Sequence, residues 1–177
     1  MHEAAFNFVK AALERYERTP DRVLEIGGRD INGSVRPLFH EAETYHAIDI
    51  SPGPGVDVVA DGSVYVPPFM PDCVVCCEVL EHTSRAEAIV RHALRMVGPG
   101  GILIVTAAGP KRAPHSAVDG AEPKAWEFYR NITPDALSNW LSDPSVHVAS
   151  RYVLESDKGD DVYAFVIVED ANEDRLH

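Results

Sequence analysis

The sequence lacks any apolar run near the roughly 20 residues that a membrane span requires. Its start, Met1-His2-Glu3-Ala4-Ala5, has neither the basic opening nor the apolar core of a signal peptide. A cytoplasmic location with no membrane partner is the expectation. A basic stripe is also missing: 16 Lys and Arg stand against 28 Asp and Glu, for a formal net charge of −12. Proteins that track phosphate backbones carry a basic face, so nucleic acid is a disfavoured partner. Acidity suits a ligand with positive charge. Cysteine is scarce. The 3 present, Cys73, Cys76 and Cys77, are clustered and odd in number, which excludes a disulfide framework. With no second Cys pair and no histidine at ligand spacing, no metal is expected. Small apolar thiols filling a buried strand is the plainer reading. The sequence also has no repeat, low-complexity tract or domain linker.

What is present is 177 residues, 45% hydrophobic, enough for one domain with a sizeable core. Their most informative stretch is Val23-Leu24-Glu25-Ile26-Gly27-Gly28. Asp49, in Ala47-Ile48-Asp49-Ile50, follows 22 residues after Gly27. An apolar run that ends in an acid and glycines reads as a buried strand stopping at a tight turn. The second run reads as its neighbour, with a carboxylate at the tip. Ligands of open parallel sheets bind outside the carboxyl ends of the strands. An acid about 20 residues past the glycine turn is placed to hold ribose hydroxyls. The pairing points to a cofactor that contains a nucleoside.

Helical spacing of Phe6, Val9, Leu13 and Tyr16 predicts a helix over 4–17. Strands are expected at 22–26, 44–50, 56–60, 72–77 and 102–107, with a short helix at 34–41 and a longer one at 84–97. Thr133 and Pro134 open a helix through Leu141 as N-cap and first-turn proline. Strands at 146–154 and 162–168 flank Ser156-Asp157-Lys158-Gly159-Asp160, a hairpin signal. The polar tail from Glu169 is expected to fray. Alternation of strand and helix followed by a hairpin gives an α/β doubly wound sheet. The hairpin argues against the commonest nicotinamide-binding arrangement, which ends in another parallel unit.

Four segments, VLEIGGRDINGSVRPLF, YHAIDISPGPGVDVVADG, DCVVCCEVLEH and GPGGILIVTAAGP, cover roughly residues 20–110. With WEFYRNITPDAL beyond them, they resemble, in order and spacing, the class I S-adenosylmethionine-dependent methyltransferases, in the small-molecule, type 11-like branch. The resemblance implies a Rossmann-like, seven-stranded sheet, mostly parallel with a C-terminal antiparallel hairpin. It implies S-adenosylmethionine as cofactor and a small molecule as methyl acceptor. The chain then reads as one domain over 1–177: an N-terminal helix over 1–18, a cofactor-binding half over 19–110, and an acceptor-side loop, helix and hairpin over 111–177.

By this resemblance Gly27 and Gly28 admit the methionine portion of the cofactor, and Arg29 stands where the family has a second glycine. Either the turn closes differently, with Gly28 supplying the flexibility, or cofactor affinity suffers. Glu25 orients the turn or meets the cofactor's amino group, unless it only caps backbone amides. Asp49, beside Ile50, accepts both ribose hydroxyls. Asp61 accepts the adenine amino group with Gly62 beside it, unless Asp-Gly only forms a turn. Backbone carbonyls at Cys76, Cys77 and Glu78 receive the methionine ammonium.

His82 and His115 are the candidate bases. Their plainer roles are a buttress at a helix start and a solvated loop histidine. His115, Trp126, Tyr129 and Arg130 are candidates for the acceptor wall. Trp126 and Tyr129 also suit the underside of a lid or a dimer contact, which leaves a homodimer open. The loop from Gly109 to Asn131 is too long for a plain connector and is expected to form that lid. No Asn/Asp-Pro-Pro-Tyr/Phe signature follows the fourth strand, so oxygen on a small molecule is the first choice of acceptor. Two other classes stay open: a protein that binds S-adenosylmethionine without turnover, and an NAD-type dinucleotide-binding oxidoreductase.

Overall fold

Two short apolar runs anchor the molecule, β1 (Arg22–Ile26) and β4 (Cys73–Cys77), whose side chains are buried on both faces apart from Arg22. Such strands need helices above and below, as in a parallel sheet. The computed structural model describes residues 2–170 and supplies both layers. The remaining strands are β2 (Thr44–Asp49), β3 (Val58–Val59), β5 (Ile102–Ala108), β6 (Val148–Glu155) and β7 (Asp161–Val168). Their order across the seven-stranded sheet is β3-β2-β1-β4-β5-β7-β6. β7 pairs antiparallel with both β5 and β6, and every other pairing is parallel.

The period-two alternation of strand side chains sorts the core onto two faces. Val74 and Cys76 of β4, with Leu103 and Val105 of β5, face α2 (Ala86–Met96) and α3 (Pro134–Trp140). Cys73, Val75 and Cys77, with Ile102 and Ile104, face α1 (Glu3–Tyr16). The thiols are therefore packing groups. Burial pushes all of them above their ordinary range. The buried stripe of α1 is Ala5, Val9, Ala12 and Tyr16, with Phe6 and Leu13 at its margins. The Tyr16 hydroxyl donates to Gly100 O at 2.7 Å and ties the helix to the turn before β5.

Thr133 caps α3 as expected, its Oγ1 accepting from Ala136 N at 3.1 Å. The β6–β7 turn closes through Ser156 N to Asp161 O at 2.9 Å. Three expectations need correction. The short helix at 34–41 is a single 3-10 turn, Arg36–Phe39, with Pro37 inside it. The third strand shrinks to Val58–Val59, because the chain before it turns on itself, Val56 N donating to Gly53 O at 3.2 Å, and joins β2 only from Asp57, whose N–H donates to Ala47 O at 2.9 Å. Glu169 is not frayed: its N–H donates to His147 O at 2.9 Å and its carbonyl accepts from Gly100 N at 3.3 Å. The rest of the expected tail, 171–177, lies outside the described residues. Among the described residues no helix is long and apolar enough to cross a membrane.

Candidate active site

The carboxyl ends of β1, β2 and β4 open onto a cavity of about 740 Å³. Its lining joins Glu25, Gly27, Gly28, Arg29, Asp49 and Ile50 to Cys77, Glu78, His82, His115 and Trp126. Residues from the glycine turn, the tip of β2, the tip of β4 and the long loop after β5 thus share one space.

The glycines are there because side chains do not fit. Gly27 has φ +83°, and a Cβ on it would lie 2.0 Å from Val79 Cγ2. A Cβ on Gly28 would lie 2.6 Å from that of Ala47 and 2.8 Å from Glu25 Oε2. Both N–H groups donate to Ile48 O, at 2.8 and 3.0 Å, which fixes the turn against β2. The flexibility expected of Gly28 therefore belongs to Gly27, and Gly28 serves close packing. Arg29 does not obstruct this turn. Its stem lies over Gly53, where a Cβ would be 3.0 Å from Arg29 Cγ, and Asp30 N donates to Pro54 O at 2.8 Å.

Glu25 is buried and accepts from the Tyr45 hydroxyl at 2.8 Å. Burial raises its carboxyl above the ordinary range, against the pull of that hydrogen bond. Asp49 ends β2, and its Oδ1 accepts from Ser51 N at 2.8 Å. Ile50 beside it is 76% exposed at the cavity rim.

Several expected residues stand apart from this space. Asp61 and Gly62 do not line the cavity. Asp61 accepts from Ser63 N at 2.9 Å and Ser63 Oγ at 2.7 Å, and it pairs with Arg85. Gly62 packs its backbone on β1, where a Cβ would meet Ile26 Cγ2 at 2.5 Å. Cys76 is buried away from the cavity, whereas Cys77 and Glu78 line it. Tyr129 and Arg130 also lie off the lining. Arg130 is held by its backbone, whose N–H donates to Glu81 O at 2.8 Å.

The side of the cavity facing the glycine turn is built on the turn Leu80–His82 after β4. His82, His115 and Tyr129 form a corner of mutually tilted rings, with centroids 4.9, 5.5 and 5.1 Å apart. Burial, with His115 second, lowers His82 to about 4. Burial, with Glu81 second, raises Tyr129 to about 12. Trp126 is 75% exposed and lines the cavity with Phe128.

The long loop is not structureless. Ser116 Oγ, Ala117 N and Lys124 N donate to the Glu127 carboxylate at 2.9, 3.1 and 2.7 Å. Its base is tied by the Asn131 side chain, which donates to Gly109 O and Arg112 O.

Four residues that the sequence reading passed over belong to this site. Glu81 is fully buried, accepts from Ala108 N at 3.2 Å through Oε1, and leaves Oε2 without a partner among the described residues, as His82 leaves Nδ1. Burial and then the Glu78 charge raise it to about 8. The signal was an acid wedged between Leu80 and His82 where the apolar pattern asks for a hydrophobe. His2, Arg112 and Asp161 surround Glu78, and nothing in their local sequence announces it. Glu81, His82 and His115 offer ligand atoms within 4.8 Å of one another, as do His2, Glu78 and Asp161, the second set already paired with Arg112.

The profile of a family described as methyltransferase domain matches residues 1–144. A ubiquinone biosynthesis O-methyltransferase of Xanthomonas oryzae is 33% identical over 85 residues, 44% of this chain and 36% of that protein. The chain thus spans about a third of the length of the curated relatives it matches. A 1,6-didemethyltoxoflavin-N1-methyltransferase of Burkholderia thailandensis, solved with 1,6-didemethyltoxoflavin and S-adenosylhomocysteine, superposes with a TM-score of 0.65 at 16% identity, covering 95% of this chain and 80% of that one. An S-adenosylmethionine-dependent methyltransferase of Clostridium acetobutylicum superposes with a TM-score of 0.66 at 10% identity, over 96% and 93%. At such identities the structural likenesses establish the fold.

Proposed function

Because the chain belongs to the methyltransferase domain family, the class I S-adenosylmethionine-dependent enzymes that its motifs resemble, we propose that it transfers a methyl group from S-adenosylmethionine to an oxygen atom of a small molecule. The observation that carries this reading is the single cavity in which the glycine turn and Asp49 face His82, His115 and Trp126. Donor and acceptor can meet there without crossing bulk solvent.

The residues fit the cofactor. Asp49, a carboxylate at the tip of β2, offers acceptors to a ribose diol. The Gly27–Gly28 backbone and the peptides of Cys77 and Glu78 border the methionine end. Asp61, off the cavity and engaged by Ser63 and Arg85, is not needed for this fit. When bound, S-adenosylmethionine supplies an electrophilic methyl on a cationic sulfonium. The carboxylates at the cavity favour that charge, and its loss on transfer eases product release.

The protein's chief task is alignment of the acceptor oxygen with the methyl. Orientation contributes about 7–11 kcal/mol in favourable cases. His82 stays uncharged at neutral pH and is a weak base, so it shapes the acceptor side of the cavity and leaves the hydroxyl proton to His115. His115, in ring contact with His82 and Tyr129, would take the hydroxyl proton as the methyl leaves the sulfonium sulfur for the oxygen, with S-adenosylhomocysteine as the leaving group.

The test uses S-adenosylmethionine with a tritiated methyl against phenols, aliphatic alcohols and amines. Label in a hydroxyl compound, with one equivalent of S-adenosylhomocysteine, is expected. Transfer to amines alone would replace oxygen by nitrogen. Calorimetry that showed binding of NAD but of neither adenosyl compound would remove the methyltransferase reading.

A further inference from the structure

Glu78 is one of two described non-glycine residues with a left-handed backbone, at φ 57°. The other, Glu17, ends α1, where that conformation is ordinary. Glu78 follows the last residue of a central strand at the cavity. A left-handed L-residue persists only when its surroundings hold it there.

The holding groups come from four parts of the chain. Thr106, fully buried on β5, donates its hydroxyl to Glu78 Oε1 at 3.0 Å and accepts Glu78 N–H through its carbonyl at 2.9 Å. His2, ahead of α1, lies 3.1 Å from Glu78 Oε2. Arg112, from the acceptor loop, lies 3.6 Å from the same oxygen and also pairs with Asp161 of β7. Asp161 is fixed in turn by the Tyr163 hydroxyl at 2.9 Å.

The turn made by Glu78 does two things. It drives Val79 against Gly27, so that the glycine turn and the β4 tip are set against each other. It then leads directly into Leu80–His82, which sets the acceptor wall.

We propose that the Glu78 carboxylate is a positioning residue: bound by Thr106, His2 and Arg112, it holds its own backbone left-handed so that the β4 tip presents its peptides to the amino-acid end of S-adenosylmethionine. The side chain itself is spent on protein partners and does not meet the cofactor. The inference rests on the cofactor reading above.

The experiment measures calorimetric affinity for S-adenosylhomocysteine and for methylthioadenosine, which has the nucleoside but no amino-acid end. Glu78→Ala should weaken S-adenosylhomocysteine about fivefold or more, because alanine resists the left-handed region, and leave methylthioadenosine unchanged. Glu78→Gly also lacks the carboxylate but adopts that region freely. It should bind S-adenosylhomocysteine at least about threefold tighter than Glu78→Ala. Thr106→Val, which removes one restraint and keeps the strand, should weaken S-adenosylhomocysteine selectively even if the Glu78 variants fold poorly. Equal losses in the Ala and Gly variants would show that the carboxylate contacts the ligand and overturn the proposal. So would equal losses for both ligands, or no loss at all. Failure of the wild-type protein to bind either compound would overturn the cofactor reading instead.

Discussion

Glu81 makes the structure's most demanding claim about stability. A fully buried carboxylate, with one oxygen unpartnered among the described residues, avoids ionising, and burial raises it to about 8 where an unfolded glutamate titrates near 4.5. The folded state therefore retains a proton that the unfolded state releases between those values. Stability from this group is complete below the unfolded value and is lost as pH rises toward the folded one. At about 1.4 kcal/mol per pH unit, folding loses about 3 kcal/mol by pH 7 and about 5 kcal/mol above pH 8. Glu81→Gln removes the titration, keeps an acceptor for Ala108 N and adds a buried amide donor whose cost does not vary with pH. The variant is then expected to gain on the wild type steadily from pH 5 to pH 8, by at least about 2 kcal/mol across the range. Urea unfolding of both proteins at each pH measures that difference directly. A difference that stays constant with pH would mean that Glu81 is hydrated or paired when folded, and the acceptor wall would need redrawing.

Asp49→Ala should weaken S-adenosylhomocysteine at least about tenfold, since two charge-assisted bonds to ribose are each worth about 1.5–3 kcal/mol. The ligand-free melting temperature should hardly move, and an unchanged dissociation constant would place the ribose elsewhere. Gly27→Ala combines a left-handed backbone with a methyl thrust into Val79, a cost of about 2–5 kcal/mol. Near-native stability in denaturant would contradict the described turn. Glu127, held below the ordinary carboxylate range first by the Lys124 amide, stabilises the loop above that range and loses its grip as pH falls through the lowered value. Amide exchange at Ala117 and Lys124, corrected for intrinsic rates, should quicken as pH falls through that lowered value and already be fast in Glu127→Gln at neutral pH. Protection that is the same in both proteins would show that the carboxylate does not organise the loop.

How much of this was legible in the sequence depended on whether the determinant was local. Thr133-Pro134 announced α3 because capping is settled within four residues, and Ser156 to Asp160 announced the hairpin for the same reason. The buried runs at 22–26 and 73–77 were readable because a strand covered on both faces tolerates few polar residues. The glycine turn and Asp49 were found together because their spacing follows from one strand, one crossing and the next strand. Gly27 and Gly28 were not separable, since which glycine bears the positive φ depends on Val79, just past β4, and Ala47 of β2 packing against them.

The long loop shows the same limit. Its length marked it as more than a connector, but the sequence gives no weight to Glu127, whose three donors come from up to eleven residues away. A loop that is prebuilt in this way changes what the proposed catalysis must supply. The loop does not have to order from a random coil over the acceptor. Arg112 and Asn131 already fix its base, and the exposed Trp126 stands at the cavity rim. Much of the ordering entropy is then met in folding, before any acceptor arrives.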